Sequence, residues 1–386
     1  MSRRVRPEGA CRSMVTLNNR SIWKWLLGFK AVYLLMVLSL AIFVAGMDVG
    51  TFHRVMQRWP REGGPTFGSY FATWDAPHYL FLSEVGYVPG AGSCAFYPLL
   101  PFLTLGLSPF TGGSHLIAGL IICYLASLFG WVLFHRLVAE RFDKPTANLS
   151  LALLLAYPGA LFFQFIYSES LFFLGLMVIW CGLERKNYGV VFVAGFLLSL
   201  TRPVGIFCVV PLAWYCWTQR LAWRTYLCVA GPVAGWAAYF GLMWLLTGNA
   251  FEGFDAQKKW GTNSIANIFD LPKFFFGLFN PTQWHAYRGS LLDRSFFLML
   301  IAVLPAIWKL DRTWFWWAVM LGVLPAMIAT FTSFTRYLVV VFPLFITLAV
   351  VLQGTGLRWL RVAILSVFGG LHFWLLLRHI NFQWAG

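Results

Sequence analysis

The sequence predicts an all-α protein that crosses a membrane many times, and three observations support this fold class. Hydrophobic residues make up 59% of the 386 residues, and the mean hydropathy is +0.70. Only 11% of the residues are charged, whereas soluble domains contain roughly 25%. Apolar segments recur from Ala31 to Arg378, and about 20 apolar residues are enough to span a bilayer as a helix.

About eleven spanning helices are predicted, and they leave no soluble domain of useful size. They cover residues 31–47, 113–135, 146–166, 169–183, 188–201, 204–218, 226–247, 295–308, 313–331, 336–353 and 362–378. A further apolar segment, residues 95–110, contains three prolines. Since proline disrupts a helix interior, we expect this segment to lie at the outer membrane face or dip into it. The whole chain, 1–386, is predicted to be one multi-spanning membrane domain.

The N-terminal region, residues 1–30, is basic and precedes the first apolar segment. A cleaved signal peptide is the alternative, but the charged region is long and no clear cleavage motif precedes Asp48. We therefore expect a retained first helix and a basic cytoplasmic arm over residues 1–30. The seven cysteines form no CxxC motif and lie mostly in apolar spans, so neither a disulfide framework nor a zinc site is predicted.

The distribution of charge predicts which loops are cytoplasmic, because short cytoplasmic loops collect Lys and Arg. With the N-terminus inside, the inside segments contain 18 of the 29 basic residues and 5 of the 14 acidic residues. The outside segments then contain 11 basic and 9 acidic residues. Two long loops, residues 48–112 and 248–294, are extracytoplasmic in this topology.

The most distinctive polar segment, Phe71–Tyr87, lies in the first of these loops. It contains an acid, an imidazole and a phenol, which are Asp75, His78 and Tyr79. Separations of three and four residues place them on one face of a helix. Asp75 is either the N-cap of a short helix with Pro77 in its first turn or a general base. Desolvation against Trp74 and the membrane surface would make its carboxylate a stronger base.

Two further polar residues begin predicted spans on the same side. Glu169 lies between two serines, and its alternative role is that of an acid favoured by the helix dipole. Arg336 is predicted at the N-terminal end of an apolar helix, where a bound anion would satisfy both the guanidinium and the free N–H groups. The alternative for Arg336 is that its side chain reaches out to lipid headgroups.

The remaining basic residues of interest lie in breaks and loops on that side. Arg202 lies between two spans and could bind a phosphate. Lys258 and Lys259, next to Trp260, could contact a phosphate or anionic lipid. His78 is either a second acid or base, a donor to a substrate, or a structural histidine. Together, basic residues on the face that carries the WDxxHY segment predict a phosphorylated lipid substrate.

These segments occur in the order and spacing of a known family. WDAPHYLFLSEVGY is followed by AFYPLLP (95–101), YPGALFFQFIYSESLFF (157–173), LTRPVG, AQKKW and RYLVVVFPLF (336–345). The chain resembles the PIG-V family, which contains the second mannosyltransferase of GPI-anchor synthesis and its prokaryotic relatives. The resemblance extends from about Trp74 to Pro343. The chain has Tyr97 where the family often has a second Phe, and Pro203-Val204 where it often has Asn-Gly.

The resemblance implies a GT-C-like bundle of about 11 transmembrane helices with a helical first extracytoplasmic loop. Such enzymes move a sugar, typically mannose, from a polyprenyl- or dolichyl-phosphate to a hydroxyl of a glycolipid or glycan acceptor, and they invert the anomeric configuration. Asp75 would be the base, and nearby cations would stabilise the departing phosphate. The substrate-binding residues expected on this basis are Trp74, His78, Tyr79, Tyr167, Glu169, Arg202, Lys258, Lys259, Trp260, Arg336 and Tyr337.

Beyond this donor, no cofactor is expected, since no outer carboxylate cluster has metal-ligand spacing, although a divalent metal is not excluded. No nucleic-acid partner is expected. The expected location is the bacterial inner membrane, or the endoplasmic reticulum membrane in a eukaryote, with the site outside the cytoplasm. Two other functions stay open: a transporter or flippase of a lipid-linked sugar, which would favour internal repeats and polar residues at the midplane, and a non-catalytic assembly subunit.

Overall fold

The computed structural model of the protein describes residues 20–46, 49–55, 58–259, 261 and 264–386. These residues are almost entirely helical, and they contain one isolated β-bridge but no strand. The α-helices are α1 (Arg20–Phe43), α2 (Val49–Val55), α3 (Ala76–Glu84), α4 (Leu99–Leu107), α5 (His115–Arg141), α6 (Lys144–Ala156), α7 (Glu169–Glu184), α8 (Tyr188–Thr201), α9 (Val209–Thr218), α10 (Ala230–Thr247), α11 (Glu252–Lys258), α12 (Leu271–Phe279), α13 (Leu291–Leu310), α14 (Arg312–Ala318), α15 (Leu324–Ala329), α16 (Phe334–Tyr337), α17 (Phe342–Leu352) and α18 (Arg358–Ile380).

Six helical segments of the described chain are long and apolar enough to cross a membrane, which confirms the multi-spanning prediction. Two bent pairs raise the number to eight if each pair is one span. The predicted number of eleven is not confirmed. The predicted spans that coincide with α7, α8 and α9 have only 16, 14 and 10 α-helical residues, fewer than the roughly 20 that a full crossing needs.

The first helix begins before the position that the sequence predicted. α1 includes Lys30, which was expected to end the basic arm. The Lys30 ammonium is buried, and its Nζ donates hydrogen bonds to Ser127 Oγ at 2.8 Å and Gln164 Oε1 at 3.2 Å. Because these polar partners satisfy the ammonium, the helix can include a lysine without placing it in solvent. The arm before residue 20 lies outside the described residues.

Small residues allow the central helices to approach closely. A Cβ added to Gly231 or Gly235 of α10 would lie 2.3 or 2.2 Å from a carbonyl oxygen of α8. A Cβ on Gly130 of α5 would lie 3.0 Å from the Phe173 side chain of α7. These contacts let α10 pack closely on α8 and α5 pack closely on α7.

Two breaks in the bundle place irregular backbone beside the first long loop. The chain bends by 83° between α6 and the 3-10 segment Pro158–Gln164, and by 78° between residues 334–340 and α17. Before α16, Thr330, Phe331 and Ser333 have positive φ angles of 48°, 66° and 59°. α3 and α4 from the first long loop, and α11 from the second, complete this part of the structure. The predicted apolar segment 95–110 contains α4, followed by a 3-10 turn.

Candidate functional site

A cavity of about 930 Å³ lies where these breaks and loops meet. Its wall combines residues from segments that are far apart in the sequence. The predicted site residues on the wall are Trp74, Asp75, His78, Tyr79, Arg202, Lys258, Lys259, Arg336 and Tyr337. Tyr167 and Glu169 are not on the wall, but both contact residues that are. Trp260 lies outside the described residues.

The backbone at Trp74 adopts an unusual conformation next to Asp75. Trp74 has a φ of 57°, which is rare for a bulky residue and is typically held by its surroundings. The Trp74 indole Nε1 donates to the Gln383 carbonyl oxygen at 3.0 Å. On the other side, the Thr73 hydroxyl lies 2.6 Å from His379 Nε2, and the Thr73 carbonyl accepts a hydrogen bond from Tyr167 at 2.9 Å. The end of α18 and the segment after it therefore fix the backbone that presents Asp75.

Asp75 occupies the N-cap position of α3, but its side chain makes no capping hydrogen bond. The His78 amide instead donates to the Asp75 backbone carbonyl at 3.0 Å. The Asp75 Oδ2 lies 2.5 Å from Arg336 Nη1. Helix capping therefore does not account for this carboxylate. The carboxylate faces a guanidinium, whereas the sequence predicted a surface made by Trp74 and the membrane.

Four charged side chains alternate in sign behind and along the cavity wall. Arg336 Nε donates to Glu169 Oε1, and the same oxygen lies 2.5 Å from Arg202 Nη1. The Glu169 side chain is completely buried. The four side chains form a row in space, Asp75–Arg336–Glu169–Arg202, which we call the ion-pair chain. It has no net charge. Pairing of this kind offsets the large cost of burying single charges.

Aromatic rings contact both guanidinium groups of the ion-pair chain. The Arg336 guanidinium carbon lies 4.6 Å from the centroid of the Tyr167 ring and 5.1 Å from that of Phe162. The Arg202 guanidinium carbon lies 5.0 Å from the Tyr337 ring centroid. Such contacts favour a fixed orientation of the guanidinium plane. Tyr167 and Tyr337, which were expected to bind substrate, thus contact the arginines.

The surroundings of Arg336 differ from the predicted ones. α16 has only four residues, Arg336 is in its last turn, and the Arg336 amide donates to the Ser333 carbonyl at 3.1 Å. A site made of Arg336 and free N–H groups at a helix start is therefore not formed here. Arg336 is also buried rather than extended towards headgroups. Its charge is balanced by Asp75 and Glu169, which the sequence could not pair with it.

His78 and Tyr79 are neutral at pH 7. His78 Nδ1 lies 2.8 Å from Ser93 Oγ, and its ring stacks on Phe96 with centroids 4.6 Å apart. Burial, with a contribution from the charge of Arg58, lowers the pKa of His78 from 6.5 to about 3. Burial raises the pKa of Tyr79 above its usual value, and its hydroxyl donates to Ser168 Oγ at 2.9 Å. His78 is thus better suited to hydrogen bonding than to acid–base catalysis at neutral pH.

Lys258 and Lys259 bring positive charge to the opposite loop. Lys258 ends α11, is largely exposed, and donates to Asp255 Oδ1 at 2.7 Å, which lowers the pKa of that carboxyl. Lys259 donates to the Gly90 carbonyl and so links α11 to the first long loop. The ionised residues on the described wall are Arg58, Asp75, Arg202, Lys258, Lys259 and Arg336. The excess of cations favours an anionic ligand.

The cavity wall also includes residues that were not predicted to belong to the site. Arg58, Tyr287 and Trp384 all line it. Arg58 carried a signal, because it is a basic residue in the first long outer loop. Tyr287 and Trp384 carried no such signal, because tyrosine and tryptophan are common in this chain. These two residues also lie outside the distinctive polar segments. Among the described residues, no group of three or more His, Cys, Asp and Glu side chains could hold a metal ion.

A known protein family matches part of the chain. The model of the family Mannosyltransferase (PIG-V) matches residues 64–227, which confirms the resemblance over that part of the chain. This range includes Asp75, Glu169 and Arg202, while Lys258, Lys259 and Arg336 lie beyond it. No curated protein matches the chain.

Two solved structures are similar to parts of this chain. ArnT from Cupriavidus metallidurans bound to undecaprenyl phosphate is 16% identical, with a TM-score of 0.48; the match covers 87% of this chain and 63% of ArnT. The Archaeoglobus fulgidus oligosaccharyltransferase in complex with zinc and sulfate is 13% identical, with a TM-score of 0.49; the match covers 94% of this chain and 53% of that enzyme. The chain thus spans less than two thirds of the length of either protein.

Proposed function

We propose that this chain is an inverting glycosyltransferase that moves a hexose, specifically mannose, from a polyprenyl- or dolichyl-phosphate sugar to a hydroxyl of a glycolipid or glycan. The match to the mannosyltransferase family over residues 64–227 supports sugar transfer. The observation that carries the proposal is the ion-pair chain, which ends at Asp75 on the wall of a cation-rich cavity.

Asp75 is the proposed general base. As the acceptor oxygen bonds to C1 of the sugar, the bond between C1 and the phosphate oxygen breaks, and the electron pair leaves with the lipid phosphate. The acceptor proton passes to the Asp75 carboxylate. Arg336 holds Asp75 Oδ2, so the other carboxylate oxygen can accept this proton. Its fixed position lowers the entropic cost of reaching the reactive geometry.

The number of carboxylates on the wall supports inversion. Asp75 is the only carboxylate among the described residues that line the cavity. A retaining mechanism with a covalent intermediate commonly uses a second carboxylate close by, whereas a single displacement with one base inverts the anomeric centre. One base and several cations therefore fit a direct attack on a phosphate-activated sugar.

The cations are proposed to bind the phosphate. Arg202, Lys258 and Lys259 line the cavity together with Arg58. Positive groups that are already in place stabilise the negative charge of a departing phosphate without reorganisation. Apolar wall residues such as Phe207, Trp236 and Ile328 suit the first isoprene units of the lipid. The acceptor approaches from the extracytoplasmic side in the topology that the basic residues predict.

Asp75→Asn tests the proposed base. The purified variant should remain folded but transfer mannose from polyprenyl-phosphate mannose to membrane-extract acceptors at a rate roughly 10²- to 10⁴-fold below wild type. Its unfolding temperature should decrease, because Arg336 loses the charge of one of its two acidic partners. Asp270→Asn is the matched control, since Asp270 caps α12 on the exposed surface and asparagine caps equally well. Transfer by Asp75→Asn at the wild-type rate would remove Asp75 from the mechanism. Wild-type protein that moves the labelled donor across vesicles without transferring sugar would favour the transporter.

A further inference from the structure

Three aromatic rings form a right-angled corner beside Asp75. The Trp384 ring meets the Trp74 ring with centroids 5.0 Å apart at 88°, and the Tyr287 ring with centroids 4.9 Å apart at 88°. All three residues line the cavity. They come from the first long loop, the second long loop and the segment after α18, so no local sequence pattern explains why they meet.

The corner is held in place by hydrogen bonds from side chains to backbone carbonyls. Arg378 Nε donates to the Trp384 carbonyl at 2.8 Å, and the Gln383 carbonyl accepts the bond from the Trp74 indole. The indole N–H of Trp384 is different, because it is buried and has no hydrogen-bond partner in the described part of the chain. A buried donor without a partner costs roughly 1–3 kcal/mol, so a ligand oxygen that reached this N–H group would recover that energy.

The chemistry of the corner suits a pyranose ring. A sugar ring has C–H groups on its faces and hydroxyls at its edge. The C–H groups pack on the electron-rich faces of aromatic rings, and a hydroxyl can accept a hydrogen bond from an indole N–H. A lipid tail would use the ring faces but leave the indole donor without a partner. The combination therefore favours a sugar over an acyl or prenyl chain.

We propose that Trp74, Tyr287 and Trp384 bind a pyranose ring of the acceptor, which makes the acceptor a glycan or glycolipid. This inference rests on the proposed function, since it uses Asp75 as the base. Trp74 precedes Asp75 directly, so a ring in the corner lies beside the group that takes the acceptor proton. The lysines that are proposed to bind the donor phosphate come from a different part of the wall, since Lys258 ends α11 and Lys259 follows it.

The test measures binding to the full-length protein in nanodiscs without any donor. Calorimetric titrations with hexyl gluco-, galacto- and mannopyranoside are compared with hexyl glycerol, which has the same tail and free hydroxyls but no sugar ring. At least one pyranoside should bind wild type more tightly than hexyl glycerol. Trp384→Phe, which keeps a ring but removes the N–H, should weaken that binding roughly 3- to 10-fold. Trp384→Ala should weaken it more than about 10-fold.

Two controls separate a sugar site from damage to the fold. Trp359→Phe and Trp359→Ala change an exposed tryptophan of α18 and should leave pyranoside binding unaltered. Farnesyl phosphate, which represents the donor lipid phosphate, should bind wild type and Trp384→Phe within about twofold of each other. If Trp384→Ala also loses the binding of farnesyl phosphate, its fold is disturbed. The result for Trp384→Phe then decides whether the corner binds a sugar.

Several results would overturn the inference. One is a wild-type protein that binds no pyranoside more tightly than hexyl glycerol, and another is a Trp384→Phe variant with full pyranoside affinity. A third is that Trp384→Phe weakens the binding of farnesyl-phosphate mannose more than that of farnesyl phosphate, while the binding of the pyranosides is unchanged. That result would assign the corner to the donor sugar. Failure of the proposed function would look different: the pyranoside would bind, but no mannose would be transferred to it.

Discussion

Glu169 neutralises part of the positive charge of two arginines in the ion-pair chain. It is completely buried and contacts two guanidinium groups through one oxygen, while its Oε2 has no hydrogen-bond partner in the described part of the chain. The sequence offered a simpler explanation, an acid at a helix start. The structure shows that Glu169 instead separates Arg202 from Arg336 and so allows two like charges to lie close together.

Glu169→Gln should lower both stability and activity. Removing the negative charge leaves two buried cations side by side, and breaking a buried ion pair typically costs about 3–5 kcal/mol. Arg336 would then hold Asp75 less firmly, so sugar transfer should decrease as well. Unfolding in detergent, followed by intrinsic fluorescence against temperature, measures the first effect and donor turnover the second.

Glu140→Gln is the matched control for this variant. Glu140 lies on α5 and is exposed, and among the described residues its one ion pair is with Arg136, one helical turn away. Exposed pairs of this kind contribute about 0–1 kcal/mol. Equal losses of stability in Glu140→Gln and Glu169→Gln would contradict the assignment of the ion-pair chain as a buried network.

His78 should make stability depend on pH. Its folded-state pKa is about 3, against 6.5 for the free side chain, so between these values the unfolded chain binds a proton that the folded protein excludes. The folded state therefore has its full stability above pH 6.5 and loses about 1.4 kcal/mol per pH unit as the pH falls towards 3. Melting temperatures from pH 7.5 to pH 5 should decrease for wild type and decrease less for His78→Gln. Parallel curves for the two proteins would show that His78 does not contribute.

Residue types alone predicted several residues that the structure brings together, but not the pairs that they form. Asp75, Glu169, Arg202 and Arg336 were all predicted because charged groups are rare in this chain and fall on one predicted side. Their partners were not predictable, since Asp75 and Arg336 are separated by 261 residues and no local periodicity links them. Arg336 was predicted to bind an anion such as a phosphate, but the sequence did not show that two carboxylates of the protein already contact it.

At the scale of the elements, the 3-10 segment Pro158–Gln164 supports the position of Arg336. A Cβ added to Gly159 would lie 2.4 Å from the Thr335 carbonyl oxygen and 3.2 Å from Arg336 Cα. The Tyr157 hydroxyl also donates to that carbonyl at 2.9 Å. The segment thus packs directly on the backbone that carries Arg336, and it can do so only because residue 159 lacks a side chain.

Gly159→Ala should therefore reduce activity through displacement of α16. Atoms this close must shift, and a backbone carbonyl moves less easily than a flexible side chain. We expect a loss of stability of about 1–3 kcal/mol and slower sugar transfer, measured by thermal unfolding and donor turnover. Gly106→Ala is the control, because a Cβ there meets nothing within 4 Å. A Gly159→Ala variant with wild-type activity would show that the segment tolerates displacement.

Helix positions were more predictable than helix shapes. Each predicted span coincides with helical structure, since long apolar segments have few alternatives in a membrane. The bends were not foreseen, although Pro158 and Pro343 mark both of them in the sequence. A proline shows where an α-helix can break, but the 83° and 78° changes of direction depend on the neighbours that each half packs against.

At the scale of the whole molecule, the orientation in the membrane is a prediction from charge. The predicted topology places Asn187 in the cytoplasm and Gly253 on the extracytoplasmic side, so reporters fused after these two residues should indicate opposite sides of the membrane. Alkaline phosphatase and green fluorescent protein fusions at both positions measure this, because each is active on one side only. The same sidedness at both positions would mean that the number of crossings between them is even and that the topology is wrong.

The ion-pair chain also has a consequence for biosynthesis. Asp75, Glu169 and Arg202 leave the ribosome long before Arg336, and until α16 joins the bundle they comprise two acids and one base. During that interval the group has a net charge of −1, and Asp75 lacks the guanidinium that fixes it. A chain whose last third has not yet inserted therefore cannot hold the Asp75 carboxylate in place, so we expect the proposed sugar transfer to begin only when membrane insertion is complete.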